Sequence, residues 1–161
     1  MREEPFVPAA GLDHVIYGWN EAYAASGIIK DPADNFSVAR YARTFGVIGI
    51  TIECGQHRDS NATPIAIRAI EGMLSHCGLI ADLKFTAPAE LHRTRMKKAF
   101  YKSRAGVFEK QWRHLDKITH GEVIARFEDG EILTAPFTGR IVLPNANCAM
   151  GHEWFYVGVE E

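Results

Sequence analysis

The spacing of apolar residues in the first half of the chain predicts two helices on either side of a buried strand. Residues 47–52 are nearly all apolar and rich in β-branched side chains, which is typical of a strand buried on both faces of a parallel sheet. Helical spacing precedes this run at residues 34–46 and follows it at residues 63–78. A helix, a buried strand, a polar loop and a second helix in this order predict an α/β layer.

Capping residues set the expected ends of these two helices. Asp34 and Asn35 can accept the free amides at the start of the first helix. In the second helix Thr63 is the expected N-cap, Pro64 occupies the first helical position and Gly78 ends the pattern.

The second half of the chain changes to the alternation of apolar and polar residues that is typical of short strands. Residues 123–127 alternate in this way, and residues 128–131 have the composition of a hairpin turn. Residues 135–139 form another expected turn, and residues 141–143 and 153–159 read as further strands.

A change of pattern near residue 90 predicts a division into two domains. Residues 96–112 are ambiguous between strand and helix, although Ser103 and Gly106 favour a bent or bulged strand. We therefore predict an α/β domain at residues 1–90 and a small β-rich domain at residues 91–161.

Composition and charge favour a globular protein over one that binds nucleic acid or spans a membrane. The chain has 161 residues, of which 47% are hydrophobic and 24% are charged, which suits one globular domain or two small ones. Its formal net charge is -2 without a long run of one sign, so binding to nucleic acid or to an anionic membrane is not expected. The apolar runs are far shorter than the roughly 20 residues of a membrane span. Because the first residues are acidic and then meet prolines, unlike an export signal, we expect a cytoplasmic protein.

The three cysteines favour a reducing compartment. Cys54, Cys77 and Cys148 are odd in number and far apart, which argues against a disulfide framework, and they lack the spacing of a structural zinc site. We interpret them as small buried side chains.

Glu53 is the most informative single residue because it directly follows the predicted buried strand. An unpaired carboxylate is costly to bury, so it should lie at the carboxyl edge of the sheet, where ligands bind in open α/β folds. The alternative is a structural glutamate that caps the following loop or pairs with an arginine of the neighbouring helix.

The order of several motifs resembles the succinylglutamate desuccinylase/aspartoacylase family. Residues 49–55 read Gly-Ile-Thr-Ile-Glu-Cys-Gly, and they resemble the family's strand that carries a catalytic glutamate. Residues 121–125, 129–131, 135–139 and 151–156 resemble the β domain that the family appends. The resemblance spans nearly the whole chain, but only the latter part of a family member. It implies part of a carboxypeptidase-like α/β layer, a barrel-like β domain and a zinc-dependent amidohydrolase.

The same resemblance implies roles for individual residues. Glu53 would act as general base on a metal-bound water and then as proton donor to the leaving amine. Arg43 matches the arginine that holds the substrate carboxylate, with Arg40 competing for the role and an exposed helix arginine as the alternative. Tyr156 matches a tyrosine that reaches toward the substrate, with packing among aromatic neighbours as the alternative. His57 is the histidine nearest to Glu53, and it contacts metal or substrate or is a solvated loop residue.

This chain departs from the family mainly in the residues that would bind zinc. The family holds its zinc with a His-x-x-Glu pair and a later histidine, all upstream of the glutamate strand. Zinc is therefore implied by resemblance, but its ligands are not found in this chain and no residue is assigned to the metal. The residues three positions after each histidine are Tyr17, Ser60, Leu79, Arg95, Lys117, Val123 and Phe155.

A second, weaker resemblance concerns the turn at residues 135–139. Its Ala-Pro-x-x-Gly pattern is similar to a turn of biotinyl and lipoyl carrier domains. Those domains modify a lysine on an exposed hairpin, and the hairpin at residues 128–131 contains no lysine. A related barrel-like architecture is still expected, but a carrier function is not.

Two functions follow from the sequence. The leading hypothesis is a portion of a zinc hydrolase that cleaves the amide bond of N-acyl amino acids, with Glu53 as general base. The alternative is a catalytically incomplete relative that acts as a binding or assembly module. Either form can be a homo-oligomer or associate with an upstream complementary segment.

Overall fold

The computed structural model describes residues 3–27, 37–55, 58–81, 83 and 88–161. The chain forms two compact units. The first comprises Met1–Val15 and Phe36–His92, and the second comprises Ile16–Asn35 and Arg93–Glu161. None of the described helices is both long enough and apolar enough to cross a membrane.

Helices dominate the first unit and strands dominate the second. The helices are α1 (Phe6–Ala9), α2 (Trp19–Ser26), α3 (Val38–Thr44) and α4 (Ala62–His76). The strands are β1 (His14–Tyr17), β2 (His92–Tyr101), β3 (Gly106–Phe108), β4 (Lys117–Ile118), β5 (Val123–Phe127), β6 (Ile132–Thr134), β7 (Gly139–Val142) and β8 (Glu153–Glu160).

The strands form two sheets. A five-stranded sheet has the order β1-β2-β8-β7-β4, and a three-stranded sheet has the order β3-β5-β6. The pairings described in detail are all antiparallel. The protein is therefore a mixed α/β structure with open sheets rather than a closed barrel.

The largest hydrophobic core combines residues of both sheets. Ile141, Phe155 and Val157 of the five-stranded sheet pack in one cluster with Ile124 and Ala125 of β5. The cluster also contains Trp112, whose indole N–H donates to the carbonyl of Ile124 at 3.0 Å. This hydrogen bond offsets the cost of removing the indole N–H from water, so the large ring can be buried.

Strand β8 is buried on both of its faces. Phe155 and Val157 belong to the core between the sheets, whereas Tyr156 belongs to a second cluster with Ala22 of α2 and Met96 of β2. This division follows from the two-residue period of a strand. Helix α2 therefore covers the face of the five-stranded sheet that lies opposite the three-stranded sheet.

The predicted hairpin and turns of the β-rich part are confirmed. Strands β5 and β6 are joined at residues 128–131, and β6 and β7 are joined at residues 135–138. Among the ambiguous residues 96–112 none is helical, and the strands in this range are the end of β2 and all of β3, which belong to different sheets. Ser103 lies in the break between these two strands, whereas the irregularities of β2 lie earlier, where its pairing with β8 shifts between Met96 and Lys98 and between Phe100 and Tyr101.

The first unit has a small core. Helix α1 packs on α4, and the Phe6 and His76 rings meet edge to face with their centroids 5.0 Å apart. Arg68 of α4 donates to the carbonyl of Gly11. Among the described residues, the buried hydrophobic side chains of this unit are Val7, Ala10 and Ala69, all of modest size.

Both helices begin at other residues than the sequence predicts. Ser37, rather than Asp34 or Asn35, caps α3, and its hydroxyl accepts from the amide of Arg40 at 3.2 Å. Asp34 and Asn35 lie outside the described residues. Helix α4 begins at Ala62, so Thr63 lies within its first turn, and Gly78 follows its end with a positive φ of 70° as expected.

The predicted strand at residues 47–52 is wrong. These residues form neither helix nor strand, and no strand of the described first unit pairs with them. A strand exists only where a neighbour completes its hydrogen bonds, so the apolar composition alone did not suffice. The predicted parallel sheet is therefore absent from the described part of this unit.

The cysteine prediction holds for one residue of three. Cys148 is buried, Cys54 is partly buried and Cys77 is exposed, so the burial expected for Cys77 is wrong. The Cys148 thiol lies 3.2 Å from the carbonyl oxygens of Ala149 and Glu153, and burial raises the pKa of this thiol.

Candidate functional site

Arg43 makes two side-chain hydrogen bonds in the candidate site of the first unit. Its Nε donates to Glu3 Oε1 at 2.8 Å, and its Nη2 donates to the carbonyl of Gly49 at 2.7 Å. The guanidinium therefore holds a carboxylate of the chain itself, in the charge-assisted manner that suits an arginine. The group is positioned at the end of α3, close to the start of residues 47–55.

A small cavity lies beside this ion pair. It has a volume of about 180 Å³ and is lined by Glu3, Arg43, Val47 and Ile48. The lining combines one carboxylate, one guanidinium and two aliphatic side chains. The guanidinium in this lining is engaged by the Glu3 carboxylate.

Glu53 lies on a segment with the exposure pattern of a strand. Residues 50, 52 and 54 are partly buried, whereas residues 51, 53 and 55 are exposed. Gly49 anchors the segment to α3, because a Cβ at Gly49 would lie 3.0 Å from the Cα and carbonyl oxygen of Ala39. Within the described part of the chain, the Glu53 carboxylate has no hydrogen-bond or ion-pair partner.

The other sequence-predicted residues of the first unit are placed as follows. Arg40 lies on α3 with Arg43 and is partly buried, and its amide takes part in the Ser37 cap. The structure brings Arg43 to Glu3 and Gly49, and it shows no contact between Arg43 and Glu53. His57 lies outside the described residues.

Tyr156 lies in the second unit, in a cluster of aromatic residues. Its hydroxyl is 3.0 Å from the hydroxyl of Tyr23, and its ring meets those of Tyr23 and Trp19 edge to face. Only 7% of Tyr156 is exposed. Burial raises its pKa above the ordinary value, and the bond to Tyr23 and the charge of Glu153 act in the same direction.

Tyr101 and Glu153 extend this polar end of the cluster. Burial raises the pKa of Tyr101 to about 12, helped by the neighbouring Glu153 carboxylate and by Tyr23. Tyrosines with raised pKa values stay protonated at neutral pH, so they act as hydrogen-bond donors and not as bases.

The described residues do not fit a catalytic zinc ion. They contain no group of three or more histidine, cysteine, aspartate or glutamate side chains that could hold a metal. A catalytic zinc needs three protein ligands to keep one position open.

Glu3 and Tyr23 were missed by sequence reasoning. Glu3 is 40 residues from Arg43, and no local pattern links them. Tyr23 carried a weak signal, since it follows Trp19 by one helical turn and so shares the face that packs on the sheet.

Comparison with solved structures identifies proteins that have a similar fold. No protein-family model matches the sequence, and no curated protein is similar to it. The ectoine utilization protein EutE (DoeB) from Ruegeria pomeroyi matches 98% of the chain with a TM-score of 0.72 and 14% identity. A succinylglutamate desuccinylase/aspartoacylase from Rhodobacter sphaeroides matches 99% with a TM-score of 0.67 and 15% identity. The succinylglutamate desuccinylase from Vibrio cholerae matches 97% with a TM-score of 0.62 and 18% identity.

The chain spans only about half of these structures. It covers 48% of the Ruegeria protein, 49% of the Rhodobacter protein and 43% of the Vibrio cholerae protein. The resemblance seen in the sequence is thus confirmed at the level of fold, and this chain corresponds to one part of that fold.

Proposed function

We propose that this chain is the carboxyl-terminal portion of an amidohydrolase that cleaves N-acyl amino acids. The proposal is supported by the similarity in fold to the desuccinylase/aspartoacylase structures. This similarity extends over nearly the whole of this chain but over only about half of each of those structures. In this proposal residues 1–90 belong to a carboxypeptidase-like α/β layer. A cytoplasmic location is part of the same proposal.

Glu53 is the proposed general base. Its carboxylate is exposed and, among the described residues, is not engaged by a cation or a cap, so it can accept a proton from a water molecule. A glutamate used only to stabilise the local fold would be expected to show a hydrogen bond to the loop or an ion pair with α3.

Arg43 is the proposed binding residue for the substrate carboxylate. It already donates to the Glu3 carboxylate beside a small cavity, which supports a role in binding a carboxylate. In this proposal the substrate carboxylate replaces Glu3 on the guanidinium, while Val47 and Ile48 contact the apolar part of the substrate. Arg40 and Tyr156 are secondary candidates, as is His57.

Zinc is the proposed cofactor of the complete enzyme, with ligands supplied from outside the described residues. The described residues do not fit the metal, because they contain no group of three ligands that could hold it. We expect the 161-residue chain alone to bind no zinc stoichiometrically and to hydrolyse no N-acyl amino acid. Metal analysis after dialysis and an amide-hydrolysis assay measure both properties.

The decisive test uses the chain together with the polypeptide encoded directly upstream of Met1. We expect N-acyl amino acid hydrolysis by the pair, and a loss of about 10²–10⁴-fold in kcat for Glu53→Gln. The control is Glu128→Gln, which changes an exposed carboxylate in the β5–β6 hairpin. Full activity of Glu53→Gln would exclude Glu53 as the general base.

The second candidate function is a catalytically incomplete binding or assembly module. The observation that favours it is the lack of a metal-ligating cluster among the described residues. If the paired polypeptides bind each other but neither takes up zinc nor hydrolyses N-acyl amino acids, the module is the better description.

A further inference from the structure

Exposed apolar side chains are concentrated in the first unit. Among the described residues, eleven of the fourteen large hydrophobic residues that are exposed lie in this unit. Scattered exposed apolar residues are normal, but a concentration on one part of a protein marks an interaction surface. The eleven are Val38, Tyr41, Phe45, Val47, Ile48, Ile67, Ile70, Leu74, Leu79, Ile80 and Leu83.

Helix α3 and the residue that ends it carry one stripe of these side chains. Val38, Tyr41 and Phe45 follow each other at helical spacing, and Val38 and Phe45 are 87% and 68% exposed. The rings of Tyr41 and Phe45 meet edge to face with centroids 5.1 Å apart, so the stripe is continuous at this end. In a complete domain an apolar stripe of this kind faces the core.

Helix α4 carries a second stripe with the same spacing. Ile67, Ile70 and Leu74 lie on one side of the helix, and Ile67 and Ile70 are 51% and 58% exposed. The opposite side of α4 contains the buried Ala69 and Gly72. Helix α4 is thus apolar on a side that no described residue covers.

The segment between the two helices has backbone groups without backbone partners. No backbone hydrogen bond joins residues 48–55 to the backbone of any other described residue, although the carbonyl of Gly49 accepts from the Arg43 side chain. The segment is nevertheless rich in β-branched residues, and residues 50–55 alternate in exposure, as a strand does. Such a segment is a template for pairing with a strand of another polypeptide.

We infer that the two stripes and residues 47–52, together called the open face, are the docking surface for a second polypeptide that supplies the complementary half of the fold. This inference rests on the proposed function for the identity of the partner. The partner contributes a strand that pairs with residues 47–52 and apolar side chains that cover α3 and α4.

The extent of the structural likeness favours the complementary half of the fold as the partner that binds the open face. Each of the three solved structures contains about as much chain again as the part that this protein matches. The open face lies in the helical unit and not in the β-rich unit, which has its own large core. A complementary half therefore explains both the length difference and the location of the exposed residues.

The experiment mixes the purified chain with the separately expressed polypeptide encoded directly upstream of Met1, in the same or a neighbouring reading frame. We expect a complex with one copy of each in analytical ultracentrifugation. In hydrogen exchange, the amides of residues 48–54 should exchange at least tenfold more slowly in the complex. If no polypeptide of similar length is encoded there, the inference is overturned.

Variants locate the interface. The double variant Ile67→Asp/Ile70→Asp should weaken binding at least 100-fold, since charges would be buried in the interface. Thr51→Pro should remove the exchange protection because proline cannot donate to a neighbouring strand. The matched control is Val107→Asp/Ile132→Asp, which alters exposed apolar residues of the second unit and should bind as the wild type does.

Each result gives a clear answer. Equal binding by the α4 double variant, with circular dichroism unchanged, overturns the inference. Self-association of the chain with protection of the same amides overturns it in favour of a second copy. A complex that forms through the open face but hydrolyses no N-acyl amino acid refutes the proposed function and leaves the docking surface intact.

Discussion

At the scale of residues, the hydroxyl groups around Tyr156 form a partly buried polar cluster in the second unit. Tyr156 and Tyr23 share a hydrogen bond, while Tyr101 and Glu153 lie at the same end of the cluster. Burial with a partner keeps these phenols protonated, because the charged form would lose solvation. The cluster therefore stabilises the protein only while its tyrosines are neutral.

This gives a pH dependence with a definite sign. The pKa values of Tyr101 and Tyr156 are raised in the folded protein from an ordinary 10.0, that of Tyr101 to about 12. The unfolded chain then releases protons first, so the contribution of these tyrosines to the free energy of unfolding should be constant below about pH 9 and fall as the pH rises from 10 toward 12. Each group contributes up to about 1.4 kcal/mol per pH unit.

Urea unfolding at several pH values measures this fall, and Tyr101→Phe should make it shallower. Tyr17, whose pKa is raised by its hydrogen bond to Glu161, adds to the same trend. Tyr41→Phe, at an exposed site of α3, serves as the control. A free energy of unfolding that stays constant up to pH 11.5 would contradict the prediction.

Residue pairs such as Arg43 with Glu3 could not be predicted from the sequence. The two residues are joined by tertiary structure across 40 positions, and neither position has a distinctive local pattern. Glu53 was predictable as a candidate because it directly follows an apolar run, where a charged residue is informative, whereas the role of Arg43 came from the family resemblance. The placement of the carboxylate on the guanidinium depends on the packing of two distant segments.

At the scale of elements, the contrast between β5–β6 and residues 47–52 shows what the sequence determines. The hairpin was predictable because alternation and a Gly-containing turn act locally, and its partner strand is the next segment of chain. Residues 47–52 have equally good strand composition, but no neighbouring strand in the described first unit. Local propensity is thus realised only where hydrogen-bond partners exist.

Two glycines of the β-rich unit should differ sharply in their tolerance of alanine. Gly130 turns the β5–β6 hairpin with a φ of 87° and open space around it, so Gly130→Ala should cost about 1 kcal/mol of unfolding free energy. A Cβ at Gly139 on β7 would overlap the carbonyl oxygen of Gly158 on β8. Gly139→Ala should therefore cost about 3 kcal/mol or more.

Thermal and urea unfolding of the two alanine variants test whether Gly139→Ala lowers the free energy of unfolding more than Gly130→Ala does. Glu128→Ala, which leaves both glycines unchanged, is the reference substitution in the same hairpin. If Gly139→Ala is as stable as Gly130→Ala, the close approach of β7 and β8 at this point is not a constraint.

At the scale of the whole molecule, the two units differ in how much apolar surface they bury. Trp154, Phe155, Ile141 and Ile124 are fully buried in the second unit. The first unit buries Val7, Ala10 and Ala69 among its described residues. Since burial of large apolar side chains supplies most of the folding free energy, the first unit should be the less stable one.

Native-state hydrogen exchange of the isolated chain measures this difference directly. We expect the amides of β7 and β8 to exchange only on global unfolding, and those of α3 and α4 to exchange through local opening at lower free energy. Adding urea separates the two classes, because global unfolding depends on denaturant more steeply than local opening. Equal protection of α4 and β8 would show that the small core of the first unit suffices for stability.

The open face also affects the fate of the chain in a cell. Unassembled polypeptides with exposed apolar helices are recognised by chaperones and proteases, and a small stability difference changes their abundance several-fold. Copies made in excess over their partner would be degraded, whereas assembled copies would be long-lived. If the open face binds the inferred partner, the amount of this chain would thus follow the supply of that partner, because unassembled copies would be removed.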